Sequence, residues 1–251
     1  MTKARRRRIV GRMLRRLSVC ATAAVALAVL VAACGPRAVS RVAGLVHPGC
    51  LFDVNLAAKR PALVALTIDD TPDAAGTPAI LDTLRAYGAH ATFFVISDQI
   101  RGAESVMTRI VAEGHEVGNH FTSGRPTIRL DSAAFERDLA EADAAIREYA
   151  PVRWARPGSG WYNRRMVRSM ERSGYDCALG TVYPFDGTMG WSWLSRQFIL
   201  ANARPGTIVI LHDRDERAPR TAKVLGRVLP ELRARGYEVV TLSELVAAAA
   251  P

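Results

Sequence analysis

Cysteine is scarce in this chain, and no two cysteines have the spacing of a metal-binding motif. Four cysteines occur among 251 residues, and none belongs to a CxxC pair. The sequence therefore excludes a cysteine-based zinc site. Internal repeats and low-complexity tracts are absent as well, and this excludes a repeat architecture.

Acidic residues are missing from the first 33 positions, where basic residues and then an apolar stretch lie instead. The basic residues are Lys3, Arg5, Arg6, Arg7, Arg8, Arg12, Arg15 and Arg16. The apolar stretch covers residues 17–33, and this order is typical of a secretory signal. Residues 30–35 resemble the bacterial lipobox, in which Cys34 becomes the lipidated first residue of the mature protein.

The expected product of this signal is an exported lipoprotein, held at a membrane by its N-terminal lipid and located in the periplasm or at the cell surface. A plain cleaved signal and an uncleaved anchor are the alternatives. The apolar stretch is short for a membrane span of about 20 residues.

The net charge of +10 comes mostly from this N-terminal segment. Eight of the 34 basic residues and none of the 24 acidic residues precede Cys34, so the remainder has 26 bases against 24 acids, or +2. A basic chain often binds nucleic acid. Because the mature part is almost neutral, we expect no nucleic-acid partner.

Removal of the signal leaves two cysteines for the folded part of the chain. Cys20 leaves with the signal and Cys34 is the lipid site, so Cys50 and Cys177 remain. In an exported protein these two residues could form a disulfide. Two buried free thiols are the alternative.

The composition divides the chain into three parts. Residues 1–33 form the predicted signal, and residues 34–60, which contain prolines and glycines, form a predicted tether. Residues 61–251 have the length of one domain with a substantial core.

Within that domain, strand-like runs alternate with segments of helical spacing. The strand-like runs are 63–69, 91–96, 116–120, 153–157, 177–183, 208–213 and 238–242. The helical segments are 79–87, 104–112, 132–149, 164–172, 195–203, 221–235 and 243–249. Alternation of this kind predicts a parallel sheet, either open or closed into a barrel.

Polar residues lie at or just after the ends of five predicted strands. They are Asp69, Asp70, His120, Arg156, Asp186, His212 and Asp213. In parallel α/β folds the carboxyl ends of the strands form the active site, so these residues predict one catalytic pocket. Taken singly, each residue has a simpler explanation. Asp70 could cap a helix, Arg156 could form a surface ion pair, Asp186 could lie in a turn, and His212 could be a buried, hydrogen-bonded histidine.

Five short motifs in the same order resemble the polysaccharide deacetylases, the NodB-homology domain of carbohydrate esterase family four. The motifs are Thr67-Ile68-Asp69-Asp70, residues 91–95, residues 114–120, residues 155–160, and Ile210-Leu211-His212-Asp213. The resemblance implies a distorted seven-stranded (β/α) barrel. It also implies hydrolysis of N-acetyl or O-acetyl groups on a polysaccharide or oligosaccharide, with a divalent metal, most simply zinc, as cofactor.

The resemblance also assigns roles to single residues. Asp69 would be the general base, His212 the general acid, and Arg156 and Asp186 their respective partners. Asp70 and His120 would hold the metal. The expected substrate contacts are Ser159, whose backbone N–H would help hold the oxyanion, and Trp161, Trp191 and Ile210.

Three departures from the family pattern bear on these roles. Gly124 stands where the family has its second metal-binding histidine, so two ligands remain where a catalytic zinc usually has three. Gly158 and Ser159 replace a proline and a tyrosine, and Trp191 follows Asp186 with one extra residue. Two alternatives therefore stay open: a metal-free hydrolase of another C–N bond, and a lipoprotein that binds glycan without turnover.

Overall fold

A computed structural model describes residues 35–46, 48–56, 61–186 and 191–249. The predicted signal and Cys34 lie outside these residues. Among the residues described, no helix has the length and apolar character that crossing a membrane requires.

In the described part of the chain, eight strands form one sheet. They are β1 (Cys50–Leu51), β2 (Ala62–Thr71), β3 (Thr92–Val95), β4 (Glu116–Asn119), β5 (Trp154–Ala155), β6 (Asp176–Ala178), β7 (Ile208–His212) and β8 (Tyr237–Val240). The helices are α1 (Pro36–Val46), α2 (Thr77–Tyr87), α3 (Glu104–Ala112), α4 (Ser132–Arg147), α5 (Arg164–Arg172), α6 (Ser192–Asn202), α7 (Arg217–Ala234) and α8 (Leu242–Ala247).

Every strand pairing in this sheet is parallel, and the predicted α/β alternation is confirmed. The strand order is β1-β6-β5-β4-β3-β2-β7, and β8 pairs with the first half of β2. Outside the named strands, a parallel bridge joins Val182 to Val209. No continuous ladder joins β6 to β7 in the described residues, so the predicted barrel is not fully closed.

Strand β2 is the centre of the sheet. Its last eight residues are buried, and it pairs with β3 on one side and with β7 and β8 on the other. An apolar run buried on both faces is typical of a parallel sheet covered by helices. The register with β7 places Asp69 directly opposite His212.

The predicted strands at 153–157 and 177–183 are shorter in the structure, at two and three residues. Pro157 cannot donate a backbone hydrogen bond, which helps to end β5. Arg156 directly follows β5; its backbone N–H donates to the carbonyl of Asn119 at 2.9 Å, and its side chain lines the pocket. The sequence overestimated both strands because an apolar run continues past the residues that pair.

Helix α4 shows how local sequence sets the elements around the sheet. Asp131 accepts a hydrogen bond from the backbone N–H of Ala134 at 2.8 Å and so caps the helix. Phe135, Leu139 and Ile146 are buried on one face, as their spacing predicted.

The residues predicted as a tether contain a helix and a strand. Helix α1 precedes β1, which pairs with β6, and Cys50 forms a disulfide with Cys177. A Cβ added at Gly206 would lie 1.7 Å from the carbonyl oxygen of Val54, so the segment packs directly on the domain. Of the residues that indicated a tether, Pro36 begins α1, and Pro48 and Gly49 lie between α1 and β1.

Candidate active site

Asp69 forms a buried ion pair with Arg156. The Nη1 of Arg156 lies 2.5 Å from the Asp69 carboxylate, and the two side chains are 1% and 7% exposed. Arg156 is fixed further by hydrogen bonds to the Thr67 hydroxyl and to two backbone carbonyls. Burial tends to raise the pKa of Asp69, but the charges of Arg156, His120 and His212 outweigh it and lower the pKa below its ordinary value. Asp69 is therefore ionised, as a general base must be.

His212 is held by a second buried carboxylate. Its Nδ1 lies 3.2 Å from both oxygens of Asp186, and its backbone N–H donates to Asp186 at 2.8 Å. Burial tends to lower the pKa of His212, but Asp186, Asp69 and Asp70 outweigh it and raise the pKa above its ordinary value. With Nδ1 directed at Asp186, Nε2 is free to give a proton to a leaving group.

Asp70 and His120, the predicted metal ligands, lie at the base of the same pocket. His120 Nε2 is 3.8 Å from one Asp70 oxygen, and its Nδ1 is 2.7 Å from the carbonyl of Arg156. The other Asp70 oxygen accepts a hydrogen bond from Arg217 at 2.8 Å. Throughout the described ranges, no three His, Cys, Asp or Glu side chains are grouped as a metal site.

The space beside Gly124 contains a second arginine. A third metal ligand would have to extend from position 124. A Cβ added there would lie 3.2 Å from Nη1 of Arg214. Two unit charges 4 Å apart near a protein surface interact by roughly 4 kcal/mol, and a divalent ion roughly doubles this repulsion. The residues present therefore do not fit a zinc ion, since two candidate ligands lie beside an arginine where a third would have to stand, and the assignment of Asp70 and His120 as metal ligands stays a prediction.

One pocket of about 530 Å³ brings most of the predicted residues together. Those that line it are Asp69, Asp70, His120, Arg156, Ser159, Ile210 and His212. Asp186 lies behind His212 and is 1% exposed. Trp161 and Trp191 do not line this pocket, and both side chains are exposed to solvent.

The sequence reasoning missed Arg214, Arg217 and Tyr183, which also line the pocket. A signal was available for the two arginines. They belong to a charged run that follows the end of β7 directly, where a catalytic loop is expected in a parallel α/β fold.

These contacts define a class of protein. A pocket at the carboxyl ends of parallel strands contains a carboxylate with a lowered pKa and, beside it, a histidine with a raised pKa. Hydrolysis of an acyl bond can be catalysed by such a pair, with a base that activates water and an acid that protonates the leaving group. The parallel (β/α) fold and the site are those of a hydrolase of acyl bonds.

Comparison with known proteins identifies the family. Residues 57–178 match the polysaccharide deacetylase family. The chain is 31% identical over 188 residues to a peptidoglycan-N-acetylglucosamine deacetylase of Bacillus cereus, covering 73% of this chain and 88% of that protein. It is 32% identical over 196 residues to a chitooligosaccharide deacetylase of Bradyrhizobium, covering 72% and 90%. The chain belongs to the polysaccharide deacetylase family, and it is a carbohydrate deacetylase.

A solved structure supports the same fold assignment. A mutant of a CE4-family pseudoenzyme with restored enzymatic activity superimposes with a TM-score of 0.72 at 26% identity, covering 79% of this chain and 71% of that one.

Proposed function

We propose that this protein removes acetyl groups from N-acetylated glucosamine residues of a glycan. The observation that carries the proposal is the placement of Asp69 and His212 opposite each other in one pocket, each held by its own buried partner. The two relatives above are named for deacetylation of peptidoglycan and of chitooligosaccharides. Both substrates contain the N-acetyl amide that such a base and acid can hydrolyse.

In the proposed reaction, Asp69 takes a proton from water as the water oxygen adds to the acetyl carbonyl carbon. His212 then donates its proton to the amide nitrogen, the C–N bond breaks, and acetic acid and a free amine leave. Proton exchange with solvent restores both side chains. Arg156 orients Asp69 and keeps it ionised. Asp186 orients His212 and raises its pKa.

The predicted substrate contacts divide into two groups in this proposal. Ser159 and Ile210 line the pocket and would contact the sugar that carries the acetyl group. Trp161 and Trp191 are exposed, which suits stacking on neighbouring sugars of a longer chain.

The test is acetate release from N-acetylglucosamine oligomers and from peptidoglycan, each with and without added zinc or cobalt. Wild-type protein should release acetate, and Asp69→Asn should lose at least 100-fold in kcat, in line with the usual contribution of a general base. Asp82→Asn is a matched control on the exposed surface of α2. Absence of acetate under every condition would contradict the proposed function and favour glycan binding without turnover.

We also propose that the mature protein is exported and carries a lipid on Cys34. The basic N-terminus, the apolar stretch and the lipobox-like residues 30–35 support this. Growth with labelled palmitate should label the wild-type protein and leave Cys34→Ala unlabelled. Equal labelling of both would contradict the lipid anchor.

A further inference from the structure

We infer that Arg217 supplies the positive charge at which the oxyanion forms, in the place that a metal ion would need. This inference rests on the proposed function and identifies one more catalytic residue for it. In the tetrahedral intermediate, the electron pair of the C=O double bond moves onto the oxygen as water adds. That charge must be stabilised by donors already in place.

The position of Arg217 suits this role. Its Nη1 donates to Asp70 at 2.8 Å, and its side chain lines the pocket together with Asp69 and His212. Among the described residues this is the one hydrogen bond that the Arg217 side chain makes, so Nε and Nη2 are available to a substrate. Asp70 thus serves to fix a guanidinium group beside the reacting carbonyl.

Arg217 is also poorly explained as a structural residue. It is the first residue of α7, where the helix dipole disfavours a cation. Its side chain is 36% exposed and it pairs with a carboxylate that is 12% exposed. A partly open pair of this kind contributes little to folding. Its location at the pocket wall is therefore better explained by the reaction.

Arg214 reinforces the same charge. Its Nη1 approaches the space beside Gly124, and its side chain lines the pocket at 45% exposure. The two guanidinium groups make this wall of the pocket attractive to an oxyanion and repulsive to a divalent cation. The intermediate then collapses as described above, with His212 giving its proton to nitrogen, and no co-reactant besides water is required.

The first experiment measures acetate release from an N-acetylglucosamine oligomer before and after treatment with a chelator. We expect the rate to be unchanged by the chelator and by added ZnCl₂. Arg217→Gln should lower kcat by about 100-fold with a small change in KM, because an oxyanion donor acts in the transition state. Arg217→Lys, which keeps the charge, should recover part of kcat. Arg227→Gln, an exposed position on the same helix, is the charge-matched control.

The second experiment does not depend on activity. Calorimetric titration of wild-type protein with ZnCl₂ should show no saturable binding, and Asp70→Asn should give the same result. Saturable zinc binding that Asp70→Asn abolishes, with acetate release lost to chelator and restored by zinc, would overturn this inference and leave the proposed function standing. Absence of acetate under every condition would overturn both.

Discussion

Asp69 and His212 are register partners on the neighbouring parallel strands β2 and β7, near the carboxyl end of each strand. Arg156 forms an ion pair with the first and Asp186 with the second. As a consequence, the pKa values of the two residues shift in opposite directions. The guanidinium helps lower the pKa of Asp69, and the carboxylate helps raise the pKa of His212. The lowered pKa suits Asp69 to act as a base, and the raised pKa suits His212 to act as an acid.

The pH profile of the reaction should depend on Asp186. His212 must be protonated, and its raised pKa keeps it so as the pH rises past the ordinary value of 6.5. Removing the Asp186 charge should lower the pKa of His212, so Asp186→Asn should move the alkaline limb of the kcat profile to lower pH. A profile whose alkaline limb stays in place would show that another group sets it.

A metal site should be obtainable only by removing the arginines. Gly124→His alone should bind no zinc, because Arg214 lies beside that position and Arg217 holds Asp70. The triple variant Gly124→His/Arg214→Ala/Arg217→Ala should bind zinc in calorimetry, since three ligands then face one space. The control is the double variant Arg214→Ala/Arg217→Ala, which keeps Gly124. Tight binding by Gly124→His alone would show that the arginines do not block the site.

The disulfide between Cys50 and Cys177 should stabilise the fold substantially. It joins residues that are 127 positions apart in the sequence. In the chain-entropy account, a disulfide that closes a loop of this size stabilises the folded state by about 4 to 5 kcal/mol. Cys50→Ser/Cys177→Ser should lower the free energy of unfolding in urea by roughly that amount at unchanged kcat, since neither residue lines the pocket. Reduction of wild-type protein should reproduce the loss of stability. Equal urea midpoints for the oxidised wild-type protein and the double variant would contradict the prediction.

Asp213 should make stability depend on pH. Burial raises the pKa of this carboxyl to about 7, although hydrogen bonds from Thr77 and Thr71 oppose the shift. Since the folded state then binds a proton more tightly than the unfolded state, stability should fall as the pH rises from about 4 to about 7. Asp213→Asn mimics the protonated form and should remove this part of the decline. The measurement is urea unfolding of both proteins across that range; parallel curves would contradict the shifted pKa.

The sequence specified the alternation of elements because helix and strand differ in the period of their apolar residues. The spacing of Phe135, Leu139 and Ile146 predicted α4, and the apolar run before Asp69 predicted β2. The sequence predicted the ends of β5 and β6 less accurately, because both strands are shorter in the structure. Strand ends depend on which backbone groups find a partner, and a single chain's pattern does not contain that information.

The sequence also placed Asp69 and His212 at strand ends and showed that position 124 has no histidine, since each is a matter of which side chain follows which strand. Only the tertiary structure decided that Arg214 lies beside Gly124 and that Arg217 binds Asp70. Arg217 lies 147 residues from Asp70 along the chain, and its hydrogen bond to that carboxylate exists because β7 ends beside β2. Spacing along the chain reveals neighbours on one element, but a contact across the pocket is set by how the strands pack side by side.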